Sequence, residues 1–356
     1  MYRHRTYRKR LNLKPTKRPH IRRKKCEKQT IEPSGTFLKN AKQYDGMVKE
    51  FFSIERLIEE LEAKLTFSDD EKIRAENFFK DINYYRFSIY PKLLPKSEDG
   101  KKYAFTDALD LYYFDEFLKS YLYDFTSYLE NKWKGSLVTY LGNHYDNDEF
   151  FMAQCYLDLN LYQSEEWGRS IIAQIENRLK DSNSNSKPIQ HHHTNRNDYI
   201  PLWVLVEELT FGEFETFLTQ LDKSRLRDYV KYVYQDPKYP GAFNGWIALI
   251  RLLRNKISHH SRLYGANFAK TPRIVGRDAK MFFPNIGTNA KLRHQLVASF
   301  YVLHKLFLFE NSRIINQWNT FLVKLEKEIQ KLNSVLDISK YLGLPENWKE
   351  LLTVRS

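Results

Sequence analysis

The residues best suited to chemistry in this chain stand in one short run, RNKISHH, where Arg254 and Asn255 lead to His259 with four residues intervening after the arginine and to His260 with five. Each type supplies something different. Arginine holds and stabilises phosphoryl charge. Histidine moves protons near neutral pH. Asparagine orients a partner by hydrogen bonding. Converging on a phosphodiester, they are sufficient to cleave RNA without a metal: the ribose 2′-OH attacks the adjacent phosphorus, histidine moves the proton, and arginine stabilises the pentacovalent oxygens. A basic helix that only binds nucleic acid has the same composition, so the residues alone leave both readings open.

These residues need an element to position them. Asn244 is a good N-cap and Gly265 a good terminating residue, so the spacing predicts a helix over about 245–264. At 100° per residue Trp246, Leu249, Leu253, Ile257, His260 and Tyr264 share an apolar stripe. Arg251, Arg254, Asn255, Ser258, His259 and Arg262 share the other side, which has no acid. Arginines without carboxylate partners on one face repel one another, so an anion is expected there. The projection favours His259, at the edge of the polar face, over His260 for proton transfer.

The formal net charge of +13 is not spread along the 356 residues. Residues 1–30 carry 13 Lys/Arg and one acid, Glu27, for a net of +12, and residues 31–356 are nearly neutral at +1. With little aliphatic content, residues 1–35 are expected to be a disordered arm attached to a body over 36–356. Its Arg3, Arg5, Arg8, Lys9, Arg10, Arg22, Arg23, Lys24 and Lys25 are candidate contacts to an RNA backbone, with Tyr2 and Tyr7 able to stack on bases. A solubilising or targeting tail is the plainer alternative.

Low Gly and Pro content and repeated 3.6-residue periodicity predict an all-α body. Ser68 and Glu71 are in capping-box spacing behind Phe67, predicting a helix from there to just before Pro91. A second begins after Thr106, with Leu109, Tyr113, Phe117, Tyr121, Phe125, Leu129 and Trp133 recurring every four residues and Gly142 as its stop. The Ser/Asn-rich stretch KDSNSNSKPIQHHHTNRNDYIP reads as an exposed loop, and its His191, His192 and His193 lack the carboxylate or thiolate company a metal needs. Helices resume from about Asn289 through Leu332. Cys26 and Cys155 offer neither a zinc spacing nor a disulfide framework. Neither a secretory leader nor a membrane-length apolar run is present, so a cytoplasmic protein with no metal, cofactor or membrane contact is expected.

RNKISHH followed by SRLYG resembles the signature of the abortive-infection (Abi) family of bacterial phage-defence proteins, the AbiD/AbiF type, within the HEPN superfamily. FFKDINYYRFSIYPKLL, IPLWVLVEELTFGEF and YLGLPENWKELL resemble the family's other blocks, so the likeness spans about residues 50–353. Ser258 stands where the family more often has alanine, and Tyr264 where it more often has tryptophan. The resemblance implies a HEPN-like helical bundle with additional helices, acting as an endoribonuclease. Arg254 would stabilise the phosphorane, His259 or His260 would serve as acid and base, Asn255 would orient them, and Arg251 and Arg262 would hold flanking phosphates. Such sites use two facing motifs. This chain has no other arginine with four to six residues intervening before a histidine, so a homodimer is implied. A dedicated small noncoding RNA or an antitoxin partner are the controls it allows. The rival readings are a binder of structured RNA without chemistry and a toxin-type sensor governed by a partner.

Overall fold

The structure, a computed structural model, describes residues 51–95, 100–145, 153–182, 185–276, 278–282, 294–332, 336 and 338–355. The chain divides into two units, Met1–Ser53 and Ile54–Ser356. The basic arm and its expected boundary at 35/36 lie outside the described residues.

The second unit is all-α, its strands limited, among the described residues, to a parallel pair of two residues each, β1 (Leu65–Thr66) and β2 (Tyr103–Ala104). Helix α1 (Ile54–Glu62) buries Ile58 and Leu61. Helix α2 (Asp69–Asp81) starts with the predicted capping box: the Ser68 amide donates to Glu71 Oε2 at 2.9 Å and the Glu71 amide to Ser68 Oγ at 3.3 Å. Glu71 also accepts from the Thr106 amide and hydroxyl at 3.0 and 2.8 Å, tying the start of α2 to the start of α4 (Phe105–His144). Phe67 stacks on Phe105 at 5.0 Å across the same junction.

The helix predicted to reach Pro91 is broken. Helix α2 ends at Asp81, Asn83 caps a four-residue helix α3 (Tyr84–Phe87) by accepting from the Tyr85 amide at 2.8 Å, and Tyr90–Lys92 form a turn of 3-10 helix. An asparagine side chain competes with the backbone for its own amides, so it starts a new helix rather than extending the old one.

Helix α4 is the axle of the molecule, 40 residues and about 60 Å long. It passes through Gly142 instead of stopping there. A four-residue repeat drifts by about 40° per step, so its aromatic stripe winds around the helix: Leu109, Phe125, Leu129 and Trp133 are buried while Tyr113 is exposed. Against it lie α5 (Glu165–Ser182), α6 (Lys187–Asn195), α7 (Leu202–Glu208), α8 (Phe211–Thr219), α9 (Lys223–Tyr234) and α10 (Pro240–Ser258), some directly and some through a neighbour. Trp133 marks the join, its ring edge-on to Phe243 at 5.6 Å and its Nε1–H donating to the Tyr234 hydroxyl at 2.6 Å. The stretch expected as a loop is largely helical. Ser186 caps α6 with Pro188 in its first turn, which puts His191–His193 on a helix.

After α11 (Asp278–Phe282), α12 (Leu296–Phe307) is buried at every position except Lys305, sandwiched by α10, α13 (Ser312–Leu332) and α15 (Trp348–Leu352), with α14 (Ile338–Leu342) alongside α13. A helix apolar all round has to sit inside. Tyr301 and Lys305 reach Asp278, at 3.0 and 3.1 Å, and on another side the His304 Nδ1–H and the Trp318 Nε1–H both donate to the Leu352 carbonyl, at 2.9 and 2.8 Å.

Burial pushes the His304 pKa down to about 4 from an ordinary 6.5, against the raising effect of the Leu352 contact. The unfolded chain therefore takes up a proton here between about pH 6.5 and 4 while the folded chain does not. Stability should be intact above that window and fall as pH drops through it, by about 3 kcal/mol in all. Urea unfolding at pH 7.5 and 4.5 checks this, with His304→Gln expected to shrink the loss; an undiminished loss in the variant would show that other groups carry it.

Candidate functional site

Helix α10 begins at Pro240, four residues before the expected cap, because a proline at the first position has the helical φ already set and no amide to leave unpaired. It ends at Ser258, seven residues before Gly265. The end is built by His260, which takes a left-handed backbone with φ of 50°. The His260 amide donates to the Ile257 carbonyl at 2.9 Å and the Ser261 amide to the Lys256 carbonyl at 2.7 Å. That pair of bonds is the Schellman termination, with histidine where glycine usually sits. A residue with a Cβ spends on the order of 1 kcal/mol there, though histidine tolerates it better than most.

The helical projection of the two histidines therefore fails. Both lie past the last helical residue, both are exposed, and His260 is not on an apolar stripe. Tyr264 is fully buried, but from the loop after the helix, edge-on to Phe114 at 6.1 Å.

What holds this loop is a buried carboxylate on α4. Asp115 has no solvent exposure and accepts from the Leu263 amide at 3.0 Å, the Tyr264 amide at 2.6 Å and the Tyr90 hydroxyl at 2.9 Å, with Lys119 Nζ at 3.3 Å. Burial and the Asp115 charge push the Tyr90 phenol far above its ordinary pKa, so it stays a donor. Two backbone amides, a hydroxyl and an ammonium satisfy the charge that burial would otherwise penalise. Arg262 Nη1 donates to the Tyr264 carbonyl and folds over Gly265, whose φ is 63° and where an added Cβ would meet that nitrogen at 3.0 Å.

The arginines are not the unpaired cluster that the helix alone implies. No acid lies on their face of α10, but neighbouring helices bring acids to them. Arg251 pairs with Glu215 of α8, and Arg254 Nε lies 3.2 Å from Glu130 Oε2 of α4, without the alignment of a hydrogen bond. Glu130 is shared with Lys134, 3.5 Å away, whose ammonium also donates to the Leu209 carbonyl at 2.8 Å. Glu130 is nearly buried while about a third of the Arg254 side chain is exposed (32%), so a substrate can still reach part of it. Asn255 is half-buried one turn before the histidines, its carbonyl accepting from the His259 amide at 3.0 Å.

His259, His260 and Arg262 open onto a cleft of about 510 Å³ that is also lined by Tyr85 and Arg86 of α3. A second cleft of about 510 Å³ adjoins it, sharing Glu116, Lys119 and His260. Arg251, Arg254 and Asn255 line neither, so one chain gathers the histidines at a cleft while its arginines stand behind them on α10. Arg3, Arg5, Arg8, Lys9, Arg10, Arg22, Arg23, Lys24 and Lys25 lie outside the described residues. On α6, His192 bonds the Tyr199 carbonyl and His193 meets Asp198; no grouping able to hold a metal occurs among the described residues. The residues that sequence reasoning missed are Asp115, Glu130 and Glu215. Each is an isolated acid whose partner is far away in the chain, so no local signal marks it.

A family model described as Abi-like protein matches residues 77–265, just over half of the sequence. The chain belongs to the Abi-like protein family. No curated protein and no solved structure matches it. Membership supports a role in abortive-infection defence. The matched segment of this Abi-like chain begins inside α2 and ends at Gly265, so it takes in α3, α4, α10 and the histidine turn. It stops short of α12–α15 and is narrower than the span of about 50–353 over which the sequence resembles the family. Among the described residues, no helix is long and apolar enough to cross a membrane.

Removing the Asp115 carboxylate leaves Lys119 without its buried partner and two amides without an acceptor. Asp115→Ala should cost about 3–5 kcal/mol of stability by denaturant unfolding, as other broken buried pairs do. A cost below about 1 kcal/mol would mean that the turn holds its shape without the clamp.

Proposed function

We propose that this protein is a metal-independent endoribonuclease of the HEPN type, cytoplasmic and acting in antiphage defence, with a composite site formed by two copies of the chain. The observation that carries the reading is the end of α10: the Arg-Asn…His-His run stops in a turn that exposes both histidines at the mouth of a cleft. In the reaction, one histidine takes the proton of a ribose 2′-OH as its oxygen bonds to the adjacent phosphorus. The bond from phosphorus to the 5′ oxygen breaks, and a histidine returns a proton to that oxygen, leaving a 2′,3′-cyclic phosphate and a 5′-hydroxyl. Arg254 stabilises the charge on the non-bridging oxygens. The basic arm adds affinity for RNA backbone without sequence preference. A dedicated small noncoding RNA is one candidate partner.

The turn also bears on which histidine transfers the proton. His259 caps the helix with near-helical φ of −89°, while His260 sits one residue beyond with its backbone reversed. Two consecutive histidines with such different backbones, both lining the cleft, suit two roles, one base and one acid. The rival reading, RNA binding without chemistry, is favoured by the pairing of Arg254 with Glu130 and of Arg251 with Glu215, which lowers the charge free to stabilise a phosphorane.

Cleavage of RNA should persist in EDTA and yield 2′,3′-cyclic phosphate or its hydrolysed form. His259→Ala and His260→Ala should each slow it about a hundredfold or more while RNA binding survives. Cleavage abolished by EDTA and restored by magnesium on an RNA that stays folded would reject the mechanism, and RNA binding without any cleavage would favour the rival.

The composite site follows from one chain carrying one motif. Wild-type and Arg254→Ala subunits, mixed and verified to exchange, should give activity that departs from proportionality to wild-type content, because each mixed site lacks one of two arginines. Strict proportionality would place an independent site in each chain.

A further inference from the structure

The cleft has further lining residues that the histidines do not explain. Helix α3 is only four residues long, yet it is held firmly: Asn83 caps it, the Ser88 hydroxyl donates to the Tyr85 carbonyl at 3.1 Å, and Phe87 is fully buried, edge-on to Phe78 at 5.3 Å. Between half-buried Tyr84 and buried Phe87, Tyr85 turns outward and is 85% exposed. A large ring fixed on a rigid turn and left in water is not there for packing. Arg86 and Lys92 line the same cleft, both exposed and neither paired with a carboxylate among the described residues. The acid in that lining, Glu116, is already engaged by Lys119 at 2.6 Å. The cleft therefore offers one well-exposed aromatic ring and two uncommitted cations in the same lining as His259 and His260.

We propose that Tyr85, Arg86 and Lys92 form a nucleotide subsite beside the histidine turn, in which Tyr85 stacks on the base of an unpaired RNA nucleotide and Arg86 and Lys92 hold the neighbouring phosphate. The inference rests on the reading of the turn as an RNA site and adds the class of RNA. A base can face Tyr85 only when it is out of a duplex, so the substrate is single-stranded or bulged at the nucleotide next to the reacting phosphate. Every base has a stacking face, so the subsite selects unpaired structure more than sequence. About 510 Å³ lies within the usual size of small-ligand sites, ample for a nucleotide and its phosphate.

The test uses the intact wild-type protein and a 2′-O-methyl oligoribonucleotide, which cannot be attacked, carrying 2-aminopurine at each position in turn. Stacking on Tyr85 should quench the fluorescence at one position or a narrow register. Tyr85→Ala should abolish that quench and weaken binding about fivefold or more, and Tyr85→Trp should restore both. Arg86→Gln should weaken binding and flatten its salt dependence. The same sequence in a duplex should bind more weakly. Quenching and affinity unchanged in Tyr85→Ala, or a duplex bound as tightly as the single strand, would overturn the subsite. Cleavage that proceeds without any Tyr85 dependence of the quench sinks the subsite alone. A Tyr85-dependent quench in a protein that never cleaves RNA leaves the subsite standing and sinks the ribonuclease.

Discussion

The buried Asp115 carboxylate is the constraint on which the rest of the site depends. Helix α10 has to end early for its two histidines to leave the helix surface, and it ends through a left-handed residue that carries a side chain. Such a backbone persists when the chain beyond it is fixed so firmly that no other conformation can join the two. Asp115 supplies that restraint: it takes the amides of Leu263 and Tyr264 and is itself balanced by Tyr90 and Lys119. Because Asp115 stands on α4, the 40-residue helix on which the body is built, the position of the turn is inherited from the core and not from the loop.

The same helix sets the electrostatics. Glu130, four turns along α4 from Asp115, meets Arg254, and Lys134 completes a trio of which Arg254 stays partly exposed. Glu215 does for Arg251 what Glu130 does for Arg254. Arginines held by acids on other helices have fixed positions, which a transition-state stabiliser needs, but part of their charge is already spent. A facing motif from a second copy would restore the missing positive charge, so the pairing seen in one chain and the dimer proposed for the active form are two sides of one arrangement. The histidines, Tyr85 and Arg86 line one cleft, so on the proposed reading proton transfer would take place beside a surface that accepts an unstacked base.

Much of the fold was legible because its signals are local. Ser68 and Glu71 mark the start of α2, and the long apolar repeat marks α4. Other local signals carry more than the periodicity suggests: Asn83 is a cap that breaks α2 from α3, and Ser186 with Pro188 starts a helix through the three histidines. The site was legible in its residue types but not in its geometry. Gly265 looks like the end of α10 because glycine ordinarily takes the left-handed position, and it does take one, in the loop beyond. His260 takes the decisive one first. Glu130 and Asp115 lie 124 and 148 residues before Arg254 and Leu263, and no pattern along the chain ties residues at such separations. The face of α10 is indeed free of acids, yet it is not free of counter-charge, since that comes from other helices.

The central claim is that RNA meets this protein with a phosphate at the histidine turn. The most direct measurement is a structure of the wild-type protein bound to a short single-stranded 2′-O-methyl oligoribonucleotide. A phosphate within hydrogen-bonding reach of His259 or His260, with the turn still held by Asp115, is the predicted result. An RNA seated on another face, with the turn left open to solvent, would contradict it.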